Sequence, residues 1–504
     1  MNDKVSSYRR ILKTSSITGG SSVLNILIGL ARTKVIALLL GPSGIGLVGL
    51  YTGLMSTATT LASMGIGTIA TRQIAEAIGK EDQRALAIIR RAIFWAVLML
   101  ATTSGSVVWA LRETLAIHIL GSIQHTSIVA WLALGVALSV ASASQGALLQ
   151  GMRRIGDMAK LSIYSSIIIT SLGIGLLWQW GAQVLWAYLL LGPVFSFLLG
   201  HLYVSKLPKA PIVEISLTEL ATQWKIFLRL GIPFMGAGLM QTAVQLWIRI
   251  SVGNELGVEA VGHFQAAWNI SMQYISFVLG AMAADYYPRL TSVIHDKAAV
   301  CRLVNEQTEV ALLLSTPVFI AMLGLAPWVV QLLYSAEFSD AVDILRWQIL
   351  GDVLKVCSWP LGFIILALGA GNIFFWTETS TLLLMGALVF WFISTLGLQI
   401  TGSAFLASYM YYLPLVYFLA WRRINFHWTR SVLGLLLTTL TLCFTVLYVS
   451  MNTEWGIQSS LALSIGFGCF ALIRLAIMSN LGGFSNRNKL IINRLTKYIY
   501  REKA

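Results

Sequence analysis

Apolar runs of about twenty residues recur from one end of this chain to the other, separated by short polar turns. They fall near 17–40, 45–68, 88–110, 124–149, 157–179, 181–204, 227–252, 259–283, 307–333, 342–369, 374–397, 401–420, 431–450 and 458–479. A helix of that length crosses a hydrocarbon core of roughly 30 Å. The pattern predicts an all-α polytopic membrane protein with about 14 transmembrane helices; a β-barrel would show alternating segments of about ten residues instead. The first run is too long for a cleavable signal and ends in Gly41-Pro42-Ser43-Gly44, without a small-residue cleavage pattern.

Charge then orients the spans. An even number puts both termini on one side. Lys4, Arg9, Arg10 and Lys13 precede the first span, and every second loop thereafter is basic: Arg72 to Arg91, Arg153 to Lys160, Lys206 to Arg229, Arg289 to Arg302, and Arg422 to Arg430. Of the 35 Lys and Arg, only Arg32, Lys34, Arg112, Arg249, Arg346 and Lys355 lie outside these groups and the tail from Arg474. The positive-inside rule makes the basic side, and both termini, cytoplasmic. The net charge of +14 then reflects topology and anionic membrane lipid, and a nucleic-acid partner is excluded. Only 11% of residues are charged, against about 25% in soluble domains. The loops are too short to house a soluble catalytic domain. The tail "NRNKLIINRLTKYIYREKA" spaces Leu490, Ile491, Leu495, Tyr498 and Ile499 as a helix lying on the membrane surface would, with a frayed basic tail as the alternative. Cys301, Cys357, Cys443 and Cys469 have no metal or redox spacing and read as small apolar residues.

A weak internal repeat sets the architecture. "LGPSGIGLVGLY" from Leu40 and "LGVEAVGHFQAAW" from Leu256 both read Leu-Gly, four residues, Gly, at an offset of 216 residues. The same offset places Asn25 on Gln241, Gly29 on Gln245, and Arg32 on Ile248, beside Arg249. Six spans per unit give two pseudo-symmetric lobes in parallel orientation, 1–210 and 211–425, followed by two extra helices in 426–480 and the tail 481–504. A cleft between the halves is the expected place for a substrate.

Buried polar groups mark that place. A charged side chain at a bilayer centre costs roughly 2.5–3.5 kcal/mol on insertion scales. Yet Thr18, Ser21, Asn25, Gly29 and Arg32 follow helical spacing as one polar stripe on the first span. The seventh span repeats the design with Gly238, Gln241, Gln245 and Arg249, and the eighth carries Gln265, Asn269, Gln273 and Ser276. Arg32 and Arg249 are candidate anion ligands, since a guanidinium matches phosphate with two parallel hydrogen bonds; the alternatives are snorkelling or pairing with a buried acid. Asn25, Gln241, Gln245, Gln265 and Asn269 are candidate cavity-lining donors and acceptors. Lys34, about 200° round the helix from Arg32, reads as a lysine snorkelling to headgroups. Asp352 and Lys355, three apart on the tenth span, form either an intrahelical pair or an ion- or proton-coupling site. Glu378 sits a turn or two inside the eleventh span and reads as interfacial. Pro193, Pro233, Pro317, Pro360 and Pro414 can kink the spans that hold them.

No phosphate-binding loop, zinc-protease or serine-hydrolase motif is present, so neither nucleotide use nor catalysis is expected. The six histidines lack ligand spacing; no metal and no cofactor are expected. The segments "KTSSITGGSSVLNILIGLARTKVIALLLGPSGIGLVGLY", "GIGTIATRQIAEA" and "GALLQGMRRIGDMAK" resemble bacterial O-antigen flippases of the multidrug/oligosaccharidyl-lipid/polysaccharide exporter superfamily. The resemblance covers roughly the first third of the chain. It implies two six-helix lobes around a V-shaped cavity in the bacterial inner membrane. It further implies translocation of an undecaprenyl-pyrophosphate-linked sugar repeat unit from the cytoplasmic to the periplasmic leaflet by alternating access. Basic cavity residues are general in that family, and Arg32 and Arg249 are the positions that fit. A lipid-linked oligosaccharide, membrane lipids, a proton or sodium ion, and polysaccharide polymerase and chain-length proteins are the partners so implied. Family members often end after about twelve helices; peptidoglycan-precursor flippases share a fourteen-helix layout and stay as an alternative. A cation or drug antiporter would need acidic groups where the first and seventh spans carry basic ones. A polymerase or ligase would need a larger outer loop.

Overall fold

A computed structural model of the chain describes residues 2–208, 211 and 214–481, and within them all side chains except 2–18, 277, 278, 281–285 and 479–481. The tail expected to lie on the membrane surface, and the Thr18 side chain, fall outside the described residues.

The described chain is a series of helices: α1 (Asn2–Ser63), α2 (Ile66–Gly79), α3 (Gln83–Ala110), α4 (Arg112–Leu120), α5 (Thr126–Gly151), α6 (Ile155–Trp180), α7 (Leu185–Ser205), α8 (Leu217–Leu256), α9 (Val258–Ser292), α10 (Lys297–Leu333), α11 (Ala341–Ala367), α12 (Gly371–Leu396), α13 (Ile400–Ile424), α14 (Arg430–Asn452) and α15 (Gly456–Leu481). Ten stretches are long and apolar enough to cross a membrane. Three of them, of 45, 51 and 54 residues, have room for two crossings each. α1 is two helices joined at Gly41, which leaves helical geometry at φ 62°, ψ −171°. With α9, the fourteen expected spans each have a helix; α2 and α4 are short additions.

The repeat is written into the turns. Gly41, Gly181, Gly257 and Gly397 have φ of 62°, 59°, 87° and 61°, with ψ of −171°, −145°, 170° and −150°. Only glycine reaches this region without strain. Gly181 and Gly397 keep the offset that relates Gly41 to Gly257. The same relation appears in packing. A Cβ on Gly46 would stand 2.0 Å from the Val258 carbonyl oxygen, and one on Gly262 would stand 2.0 Å from the Pro42 carbonyl oxygen. The two contacts exchange under the repeat, so the second arm of α1 and the start of α9 cross about a local pseudo-twofold axis.

The chain clusters into two compact units that are not the two repeats. Unit 1 is Met1–Gln265 with Leu332–Phe338; unit 2 is Ala266–Gln331 with Ser339–Ala504. In unit 1, the end carrying the basic loops is closed around α8. Ser216 and Glu219 form a capping box at its start. Arg84 pairs with Glu219 at 3.0 Å, and the Trp224 indole donates to the Ala92 carbonyl at 3.0 Å. Beneath lies an apolar core of Ile69, Ile74, Ile93 and Phe227.

In unit 2, α14 and α15 are fastened to α10. Arg474 places Nε and Nη2 on Glu309 Oε1 at 3.0 and 2.8 Å, and Ser431 donates to the same oxygen at 2.8 Å. The Thr316 and Thr439 hydroxyls bond at 2.8 Å. α11 is buried on nearly all sides, and Arg346, Gln348 and Asp352 are buried along with its apolar residues.

Candidate functional site

Gly46, Gly49 and Gly53 are three and four residues apart, so they share one face of α1's second arm. With no side chains in the way, that face receives the end of α8 and the start of α9. A Cβ on Gly49 would lie 2.9 Å from Gln265 Oε1, and one on Gly53 would lie 3.2 Å from Arg249 Nη1. Arg249 donates from Nε to Gln265 Oε1 at 2.8 Å. One turn back on the same face of α8, Gln245 is 5% exposed, and neither end of its amide has a hydrogen-bond partner. Arg249 is half-buried seven residues before the end of α8, about 10 Å of helix rise. Gln241 is exposed.

Arg32 is half-buried on α1's first arm, nine residues before the Gly41 turn, and its charge reaches Tyr188 of α7. On the same stripe, Asn25 donates from Nδ2 to Ser162 Oγ of α6 at 2.8 Å, which leaves its buried Oδ1 without a partner. Asn25 therefore faces α6, while Arg32 lies toward α7. Among the described residues neither Arg32 nor Arg249 pairs with a carboxylate. Lys34 differs from expectation. Its Nζ donates to the Tyr334 carbonyl at 2.5 Å, just beyond the C-terminus of α10. A cation there meets carbonyls left unpaired by the helix end.

Unit 2 holds the acidic candidates and Asn269, which is exposed. Asp352 is 0% exposed. Its Oδ2 accepts from Ser271 Oγ at 2.7 Å and from the Tyr274 hydroxyl, both on α9, while Oδ1 has no partner. Burying a carboxylate without such donors would be prohibitive. Lys355 does not bond Asp352 directly. Its Nζ lies 3.6 Å from Met272 Sδ and 5.6 and 5.7 Å from the Phe405 and Tyr409 ring centres. Both Asp352 and Glu378 are within its electrostatic reach. Glu378 is half-buried and accepts from the Tyr412 hydroxyl. Gln348, one turn before Asp352, is 0% exposed with no partner at either end of its amide.

Sequence reasoning missed Ser162, Ser271, Tyr274 and Tyr412, and the receiving glycines Gly49 and Gly53. The glycine spacing was the available signal.

A family model described as "Polysaccharide biosynthesis protein" matches residues 35–343. The chain is 25% identical over 431 residues to a protein of Escherichia coli (strain K12) named "Lipid III flippase", covering 82% of this chain and 99% of that protein. Solved structures share the fold. "Lipid II flippase MurJ, inward closed conformation" gives a TM-score of 0.67 at 14% identity over 93% of this chain and 99% of that one. An inward-facing multidrug resistance MATE family transporter of the MOP superfamily gives 0.63 at 18% identity over 80% and 94%.

Proposed function

Because the chain belongs to the polysaccharide biosynthesis protein family, we propose that it is a lipid-linked precursor flippase. Its cargo in this reading is an undecaprenyl-pyrophosphate-linked oligosaccharide repeat unit, of O-antigen or a related surface polysaccharide. The unit passes from the cytoplasmic to the periplasmic leaflet of a bacterial inner membrane, with both termini of the protein cytoplasmic. The transport role itself rests on the family and on a relative that is a named flippase.

One observation carries the choice of an anionic cargo. Among the described residues Arg249 has no carboxylate partner: its Nε donates to the Gln265 amide, and one turn back Gln245 is buried and unpartnered. Buried polar groups without partners cost about 1–3 kcal/mol each, so a site that keeps them is shaped for a polar ligand. A diphosphate satisfies a guanidinium fork, and sugar hydroxyls satisfy amides. Arg249 and Arg32 hold the diphosphate in this account; Asn25, Gln241, Gln245, Gln265 and Asn269 are the candidate sugar contacts. The lipid tail stays in the bilayer while the site is exposed to one side and then the other. Asp352 and Lys355 are the candidates for coupling the cycle to a proton or sodium ion, and polysaccharide polymerase and chain-length proteins are the candidate partners.

The test is Arg32→Ala and Arg249→Ala, made separately, with surface polysaccharide scored in a complementation strain. Losing a charged double hydrogen bond predicts a fall in export of about tenfold or more for Arg249→Ala. Full export by both variants at normal protein level would overturn the anion site. The fold shared with a lipid II flippase structure over 93% of this chain and 99% of that one favours a peptidoglycan precursor as second reading. Rescue of a host depleted of its own precursor flippase would select it. Rescue of drug sensitivity in an efflux-deficient host would select an antiporter.

A further inference from the structure

Gln265 stands among the candidate sugar contacts, but its geometry assigns it a different task. Its Oε1 is occupied by Arg249 Nε at 2.8 Å. Gly49 flanks it so closely that a Cβ there would lie 2.9 Å from that same oxygen. Gly53, one turn further along α1, leaves the space taken by Arg249 Nη1, with 3.2 Å to its own would-be Cβ. We infer that Gln265 is a positioning residue: it fixes the Arg249 guanidinium by its Nε edge in the groove of Gly49 and Gly53, so that the two Nη groups point at the diphosphate. This rests on the proposed flippase reading and names what aims its anion ligand.

The repeat shows how the arrangement is built. Gln265 and Gly49 are equivalent positions, as are Asn269 and Gly53, and Arg249 and Thr33. Gly49 and Gln265 therefore face each other across the pseudo-twofold axis. One side has lost its side chains and the other carries the large polar groups. A symmetric pair of guanidinium groups would repel and could not both fit. Breaking the symmetry leaves room for one guanidinium, held at a fixed angle. A neutral amide is the suitable holder. A carboxylate in its place would accept the same hydrogen bond but neutralise the charge that the diphosphate needs.

The experiment measures binding of sugar-free undecaprenyl pyrophosphate to the purified full-length protein in lipid nanodiscs. Arg249→Ala, Arg249→Lys, Gln265→Ala, Gly53→Ala and the double variant Arg249→Lys with Gln265→Ala are compared, each accepted only as a monodisperse species. Gln265→Ala is expected to weaken binding about tenfold, the scale of one hydrogen bond to a charged group. Gly53→Ala, which crowds Nη1, should weaken it as well and serves if Gln265→Ala does not fold. Lysine has no Nε edge for Gln265 to hold, so Gln265→Ala should be silent on the Arg249→Lys background. A residue that only supports the fold would give losses that multiply. Multiplying losses, or wild-type binding by Gln265→Ala while Arg249→Ala is impaired, would overturn this inference alone. No binding by the wild type, or unchanged binding by Arg249→Ala, would overturn the anion-site reading and this inference with it.

Discussion

Arg249 in the first unit and Asp352 in the second are both ionisable groups on membrane-spanning helices, and their surroundings contrast. Arg249 has one neutral acceptor, Gln265, and a partnerless amide one turn away. Asp352 has two hydroxyl donors on one oxygen and a lysine in electrostatic reach, itself shared with Glu378. The first charge is positioned but not neutralised, as a site for an external anion requires. The second sits with two hydroxyl donors and shares a single lysine with another carboxylate. A group that must release and regain a proton or an ion each cycle needs such alternatives close at hand. In the proposed flippase reading, Arg249 of α8 and Asp352 of α11, both within the second repeat, take different tasks: the first holds cargo, the second moves charge.

The largest effect that could break this contrast is at Asp352. Asp352→Ala removes the acceptor of two hydroxyls, each bond to a charged group being worth about 1.5–3 kcal/mol, and leaves a cavity. Detergent-solubilised protein should melt several degrees lower and accumulate poorly. Asp352→Asn preserves size and an acceptor oxygen, so it should fold. If the carboxylate moves charge, surface polysaccharide should nevertheless fall to near background. Normal export by Asp352→Asn would make the acid structural and shift coupling to Lys355 and Glu378.

A smaller effect is expected at Lys355. Lys355→Met keeps a flexible chain against Phe405 and Tyr409 but removes the cation over their rings, about 0.5–2 kcal/mol. It also leaves Asp352 and Glu378 without their shared cation. Thermal melting should therefore show a loss that shrinks when Asp352→Asn is added, because one of the two charges left uncompensated has gone. Additive losses would mean that Lys355 acts only through its rings, and that the second unit holds no network.

Much of this was legible in the sequence, for a physical reason. Apolar runs long enough to span and basic groups in alternate loops are local properties, so the spans and the break at Gly41 could be read directly. The offset linking Gly41 to Gly257 was also readable, and the turns bear it out. Side-chain partners were not, because they join segments far apart in the chain. Lys34 looked like a snorkelling lysine because nothing near it reveals the Tyr334 carbonyl three hundred residues on. Ser271 and Tyr274 could not be joined to Asp352 from the sequence because 81 and 78 residues separate them from it. Gly49 and Gly53 say nothing by themselves of the side chains they admit, which come from α8 and α9 about two hundred residues on.

The smallest effect separates two roles for Asn25. Its hydrogen bond to Ser162 ends on an exposed hydroxyl, so removing it should cost no more than about 1 kcal/mol. Asn25→Ala and Ser162→Ala should then lower the melting temperature equally, and the double variant should add nothing. Export distinguishes what stability cannot. If Asn25 only braces α1 against α6, both variants should export alike. If its free Oδ1 also meets a sugar hydroxyl, Asn25→Ala should fall measurably below Ser162→Ala at equal protein level. Equal export would remove Asn25 from the cargo contacts and leave the cargo role of the first unit resting on its arginines.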